Sequence, residues 1–170
     1  MYICFIDYAK AFDKVKHENL IDCLKKIGLD SKDIRVIANL YWFQQAAIRI
    51  DNEVSDYTPI QRGVRQGCVL SPLLFNIYTE LIFRNFDQLK GTSIGGRNIN
   101  NLRYVDDTVL VSDTQKDLQT LVTNAKEYSE EAGLSMNVKK TKTMVVSKKD
   151  EITTDIKIDN ESLEQVFFFK

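Results

Sequence analysis

The chain has 170 residues, 44% of them apolar and 28% charged, a balance that suits one folded domain and excludes intrinsic disorder. Its 23 basic residues stand against 24 acidic ones, a formal net charge of −1. The total therefore does not announce a nucleic-acid partner, and any such role must be carried by local clusters.

Tyr2 to Ile6 is apolar at every position and rich in strand formers, which predicts a central strand covered on both faces, ended by Asp7. A helix follows, with Leu20, Ile21, Leu24 and Ile27 on one stripe and Gly28 as its stop. Asp30-Ser31 opens a second helix through Ile34, Ile37, Ala38 and Tyr41. Ala47–Ile50 and Tyr57–Ile60 flank Asp51-Asn52-Glu53 and predict a hairpin. Ser71-Pro72 predicts a helix opening, serine as N-cap and proline at the first helical position, running to about Phe86. Gly91 to Asn101 reads as a loop, and Leu102 to Ser112 as a tight hairpin tipped by Asp106-Asp107. Thr114 caps another helix that Gly133 closes. Thr143–Val146 and Ile156–Ile158 predict late strands.

This order fits an α+β fold, an antiparallel sheet with helices packed on one face on the ferredoxin-like split βαβ plan. A weak boundary falls at the charged turn from Lys148, dividing residues 1–147 from 148–170. Cys4, Cys23 and Cys68 show no paired spacing, which argues against a disulfide framework or structural zinc and for a reducing intracellular compartment, nucleus or cytoplasm. No apolar run reaches the roughly 18 residues of a membrane span. The apolar opening Met1–Ile6 lacks the features of a signal peptide.

Three carboxylates invite chemistry. Asp7 at the end of a buried strand is costly unless paired or cation-bound, or else it lies just beyond the sheet in solvent. Asp106 and Asp107 read either as a solvated turn or as a cation site. Adjacent like charges make a poor hairpin tip, and a divalent cation with a taste for hard oxygen removes that penalty. Spacing alone does not bring residues 7 and 106 together; a first strand lying beside the hairpin would, giving a three-carboxylate site suited to two-metal nucleotidyl transfer. His17 is the only histidine, which excludes a histidine triad, and it is expected at a surface helix start. Trp42, beside Tyr41 and Phe43, reads as core packing, with stacking on a base as the alternative. From Lys139 to Lys149 there are five lysines and no acid, either a stripe along a nucleic-acid backbone or a solvated strand.

Four blocks occur in order: Phe5-Ile6-Asp7-Tyr8-Ala9-Lys10-Ala11-Phe12-Asp13-Lys14-Val15; Arg65-Gln66-Gly67-Cys68-Val69-Leu70-Ser71-Pro72; Tyr104-Val105-Asp106-Asp107; and Gly133-Leu134-Ser135-Met136-Asn137 with Lys139-Lys140-Thr141-Lys142. Together they resemble the palm domain of a reverse transcriptase, closest to the non-LTR, LINE-type retrotransposon branch. The resemblance implies an RNA-directed DNA polymerase that adds dNTPs to a DNA primer on an RNA template. It implies two Mg2+ ions, with Mn2+ as a possible substitute, held by Asp7, Asp106, Asp107 and the backbone carbonyl of Tyr8. Phe12 would be the steric gate against a 2′-hydroxyl. Gln66 and Gly67, with Tyr8 and Tyr104, would line the nucleotide, template and primer sites. Lys140, with Lys142 as runner-up, would protonate the leaving pyrophosphate. Asp13 is not a family ligand and reads as a helix-start or surface carboxylate. Gly63, Arg62 and Arg65 would give the pocket a flexible basic approach or, in the case of the arginines, a solvated face.

The match starts almost at Met1, so most of the fingers are expected to be missing. Ile156-Lys157-Ile158 and Val166–Lys170 resemble the lead-in to a primer grip, with no thumb after it. Val105 is unusual in a position where alanine is more common. The expectation is therefore a palm truncated at both ends, weakly active or inactive alone, with fingers and thumb supplied by a longer parent chain. The alternative is a non-catalytic retroelement remnant that binds nucleic acid. A third reading, an RNA-templated RNA polymerase, is opposed by Phe12.

Overall fold

The structure, a computed structural model, describes residues 1–148 and 152–167. In chain order, β1 (Tyr2–Ile6) leads through a short 3-10 turn (Ala11–Lys14) into α1 (His17–Lys26) and α2 (Ser31–Tyr41). An arm of short strands follows: β2 (Gln45–Ala46), β3 (Arg49–Ile50), β4 (Glu53–Val54) and β5 (Thr58–Pro59). Then come α3 (Ser71–Phe83), β6 (Thr92–Ile94), β7 (Arg97–Ile99), β8 (Asn101–Tyr104) and β9 (Asp107–Ser112). Last are α4 (Gln115–Glu131), β10 (Lys142–Val145), β11 (Lys157–Ile158), β12 (Glu161–Ser162) and β13 (Glu164–Gln165).

The main sheet has five strands in the order β13-β10-β1-β9-β8, antiparallel except for the β10–β13 pair. β1 is central because it can be buried on both sides: Cys4 lies opposite Leu110 on one face and Ile3 opposite Val111 on the other, and all four are buried. α4 packs across β1 and β9, and α3 packs on both α4 and α1. Fully buried Leu118, Leu121, Val122 and Ala125 of α4 and Leu74, Phe75 and Tyr78 of α3 fill the space between, giving a palm-like α+β architecture. Ile156, Ile158 and Leu163 join the same core, and Gln119 of α4 exchanges two hydrogen bonds with the backbone of Lys157.

Helix ends follow their local chemistry. Asp30 caps α2 and Thr114 caps α4 through side-chain acceptors, while Gly28 and Gly133 take positive φ beyond α1 and α4. Four expectations are corrected. Ser71 is the first residue of α3, not its cap; its hydroxyl instead donates to the carbonyl of Arg65 at 2.6 Å, tying down the loop before the helix. Gly91–Asn101 is not a plain loop: β6 and β7 form a hairpin turned by Gly95-Gly96, both at positive φ. In the arm before α3 the pairing is split between β2–β5 and β3–β4, so its strands are shorter and shifted from Ala47–Ile50 and Tyr57–Ile60. The acidic hairpin turns at Val105-Asp106, with Tyr104 paired to Asp107, so Asp107 begins a strand and does not share the tip. Lys149 of the lysine stripe, and Phe168, Phe169 and Lys170 of the terminal run, lie outside the described residues.

Candidate active site

The register of the central strands sets the carboxylates. Ile6 pairs with Thr108, and Asp7 and Asp107 are the next residues along each strand, so antiparallel register places them opposite each other, with Asp106 at the adjoining tip. Asp7 is anchored from the other side: Asn137 N–H donates to its carbonyl at 2.7 Å, and its own N–H donates to Thr141 Oγ1 at 3.3 Å. Ala9 N–H donates to the Ser135 carbonyl at 2.9 Å. These bonds flank Tyr8, so by the alternation of an antiparallel ladder its carbonyl turns toward the hairpin. The Tyr8 side chain goes elsewhere. It is buried beside α4 with its hydroxyl 3.0 Å from Ser129 Oγ, and burial pushes the phenol up to about 12. Only the backbone of Tyr8 faces the site.

Among the described residues no ion pair or side-chain hydrogen bond engages the carboxylates of Asp7, Asp106 or Asp107. The donor set is hard oxygen, the kind that suits Mg2+. Among the described residues no group of three or more His, Cys, Asp or Glu side chains is placed to hold an ion. The strands bring the residues together; mutual repulsion of like charges gives the side chains no reason to converge without a cation.

A cavity of about 500 Å³ adjoins the tip, and its lining includes Phe12, Gln66, Gly67, Cys68, Ser71 and Asp106. Residues from three separate sequence blocks thus share one space. Phe12 is half-buried, with one ring face stacked on fully buried Phe75 of α3. The Gln66 segment is laid against the Phe12 segment by backbone bonds: Gly63 N–H to the Val15 carbonyl and Val64 N–H to the Phe12 carbonyl, both at 2.8 Å. Asp13 is exposed and accepts a hydrogen bond from Gln66 Nε2 at 3.4 Å. Gly67 stands at φ 82, a conformation that favours glycine.

The remaining candidates sit around this core. Lys140 is exposed on the turn after Asn137, the residue that holds the Asp7 carbonyl. Lys142 is tied by its ammonium to Glu164 on β13. Tyr104 is exposed on β8 beside the tip. Arg65 donates to the Leu40 carbonyl at 3.3 Å. His17 starts α1 as expected but is buried, not on the surface. Its Nε2 hydrogen-bonds the Gly63 carbonyl at 2.8 Å, and its ring packs against Tyr41 and Trp42. Trp42 is itself about half exposed and Phe43 mostly so, so only Tyr41 of that trio is core. Phe75 was not legible as a site residue, because nothing in an apolar helical stripe distinguishes a support from filler.

Residues 1–161 match the family described as reverse transcriptase (RNA-dependent DNA polymerase). Among curated proteins, the Retrovirus-related Pol polyprotein from type-1 retrotransposable element R2 of Nasonia vitripennis is 31% identical over 146 residues, 86% of this chain and 14% of that protein. The corresponding polyprotein from the type-2 element R2DM of Drosophila melanogaster is 30% identical over 139 residues, 82% of this chain and 13% of that one. The chain therefore spans about a seventh of the length of these two relatives. Among solved structures, a telomerase from Candida tropicalis, in complex with a fragment of telomeric RNA, superposes with a TM-score of 0.67 at 18% identity, covering 82% of this chain and 25% of that one. That likeness concerns the fold.

Proposed function

Since this chain belongs to the reverse transcriptase (RNA-dependent DNA polymerase) family, in its non-LTR retrotransposon branch, we propose that it is the catalytic palm of an RNA-directed DNA polymerase. The reaction would join the 3′-oxygen of a DNA primer to the α-phosphorus of an incoming dNTP, break the α–β anhydride bond and release pyrophosphate. The observation that carries the reading is the single cavity shared by Phe12, Gln66, Gly67 and Asp106.

Each candidate residue has a task in this reading. Asp7, Asp106, Asp107 and the Tyr8 carbonyl would hold two divalent cations, Mg2+ or in its place Mn2+. When bound, such ions lower the pKa of the primer hydroxyl and offset charge on the leaving group. Phe12, supported from behind, would lie under the sugar and leave no room for a 2′-hydroxyl. Gln66 and Gly67 would back the nucleotide and template from a loop fixed to the Phe12 segment. Tyr104 would meet the primer end, and Lys140 would give a proton to the departing pyrophosphate. Lys142, paired with Glu164, is the poorer candidate for that proton. RNA template, DNA primer and dNTPs are the proposed partners, and further segments of a longer parent chain would complete their binding.

A second reading is a nucleic-acid-binding remnant without catalysis. Primer extension on an RNA template decides between them. Extension with Mg2+ that Asp106→Asn abolishes supports the polymerase; RNA binding without extension, in the chain and in a longer polymerase carrying it, supports the remnant.

A further inference from the structure

The acidic hairpin turns through Val105 at φ 58. Left-handed backbone is a genuine outlier for a β-branched residue, because the branched side chain crowds the neighbouring peptide, and a turn of this kind persists only when its surroundings hold it. Tight two-residue turns ordinarily place Asn-Gly or Asp-Gly here for that reason. Something outside the hairpin must hold this one.

The holding group is on α3. Asn76 Oδ1 accepts a hydrogen bond from the Val105 N–H at 3.2 Å. Four residues on, Glu80 pairs with Arg103 of β8 at 3.1 Å, and after three more the ring of Phe83 lies under the Arg103 guanidinium at 4.7 Å. Positions 76, 80 and 83 form one stripe of the helix, so a single face of α3 grips the outer strand and the turn. The neighbouring residue, Phe75, supports Phe12. Two consecutive residues of one helix thus hold the two walls of the cavity.

We infer that Asn76 is a positioning residue: it clamps the turn at Val105 and thereby fixes the backbone that carries Asp106 and Asp107, the carboxylates to which the polymerase reading assigns a divalent cation. The inference rests on the polymerase reading for its consequence, but the clamp itself is a property of the chain. Asn76 is exposed on the helix, so it is not there to fill the core, and its amide would serve as well in solvent if it had no structural task.

Amide hydrogen exchange reads the clamp without any metal or nucleotide. In Asn76→Ala, exchange at Val105 should rise about tenfold, the worth of one hydrogen bond, while β1 and α4 amides stay as they are. Alanine is the better helix former, so a merely structural change would leave or raise the melting temperature. Mn2+ binding, followed by its electron paramagnetic resonance, should weaken about tenfold in the same variant. Adding Val105→Gly, which removes the need for a clamp, should move that affinity back toward wild type. Unchanged exchange at Val105, or equal Mn2+ affinity in wild type and Asn76→Ala, overturns the inference. Wild-type protein that takes up no Mn2+ would refute the carboxylate reading and the clamp's metal role, whereas exchange still decides whether Asn76 holds the turn.

Discussion

Phe12 stacks on Phe75 with ring centroids 5.1 Å apart and ring planes inclined by 16°. Phe75 is fully buried and Phe12 only half so, so the pair has a fixed member in the core and an outer member whose other face meets the cavity. A gate residue needs such a backing, because a ring free to swing could make room for a 2′-hydroxyl. Phe12→Val should admit ribonucleotides. Phe75→Leu should do so more weakly, since it leaves the gate in place but removes its support, and should cost about 1 kcal/mol of stability. Primer extension with dTTP and UTP in competition measures both, and unchanged sugar discrimination in Phe12→Val removes the gate assignment.

Opposed carboxylates with no cationic partner among the described residues should make the chain's stability respond to metal. Mg2+ or Mn2+ at a hundred times its dissociation constant should stabilise the fold by about 2.7 kcal/mol, since ligand binds the native state alone. Asp106→Asn should abolish this shift and leave the metal-free protein as stable or slightly more so, having lost a like-charge repulsion. Tyr8→Phe makes the contrast: it should cost about 1 kcal/mol through the lost Ser129 hydrogen bond and leave the metal response intact, because only the Tyr8 backbone faces the site. Thermal melts with and without metal check all three variants.

The sequence carried those parts of the fold that depend on local pattern. β1 reads as central because every residue from Tyr2 to Ile6 is apolar, and the caps at Asp30 and Thr114 read directly. The Asp7 to Asp106 proximity needed the order of strands, which no spacing supplies, and came through resemblance; pairing of Ile6 with Thr108 then gave it a physical basis. Gly95-Gly96 is a hairpin signal, but its flanks, Thr92-Ser93-Ile94 and Arg97-Asn98-Ile99, carry too little apolar alternation to mark strands. Ser71 misled because a serine before proline matches a cap, yet its hydroxyl is taken by the Arg65 carbonyl. The bonds of Asn76 and His17 could not be read: each acts on a backbone group distant in sequence, Val105 and Gly63, and such bonds leave no periodicity.

Gly63 joins the loop bearing Gln66 to the segment bearing Phe12, its N–H donating to the Val15 carbonyl at 2.8 Å. It has φ +101, and an added Cβ would stand 3.3 Å from both the Cα and the carbonyl oxygen of Asp13, so strain and crowding act together. Gly63→Ala should destabilise the chain by about 1–2 kcal/mol and loosen the loop bearing Gln66 from the segment bearing Phe12. Nucleotide KM should rise more than kcat falls, because the proposed role of the displaced residues is to bind and not to react. Steady-state primer extension checks the split. Equal loss in KM and kcat would mean that the loop also positions the reacting groups.

Alkaline pH probes the buried core. Burial pushes the Cys4 thiol from its ordinary 9.0 up to about 12 and the Cys23 thiol from 9.0 up to about 11, and it pushes the Tyr8 phenol from 10.0 up to about 12. In each case the unfolded chain releases its proton at lower pH than the folded one. Stability is therefore intact below the unfolded value and falls as pH rises through the window between the two. For fully buried Cys4 the loss should run at about 1.4 kcal/mol per pH unit from about pH 9, with Tyr8 adding to the slope only above about pH 10. Cys4→Ala should flatten the limb from its beginning, and Tyr8→Phe only its upper part. Urea unfolding under reducing conditions at successive pH values gives the slopes, in which the fixed packing cost of each substitution cancels. Parallel limbs for wild type and Cys4→Ala would show that the buried thiol ionises no differently in the folded chain.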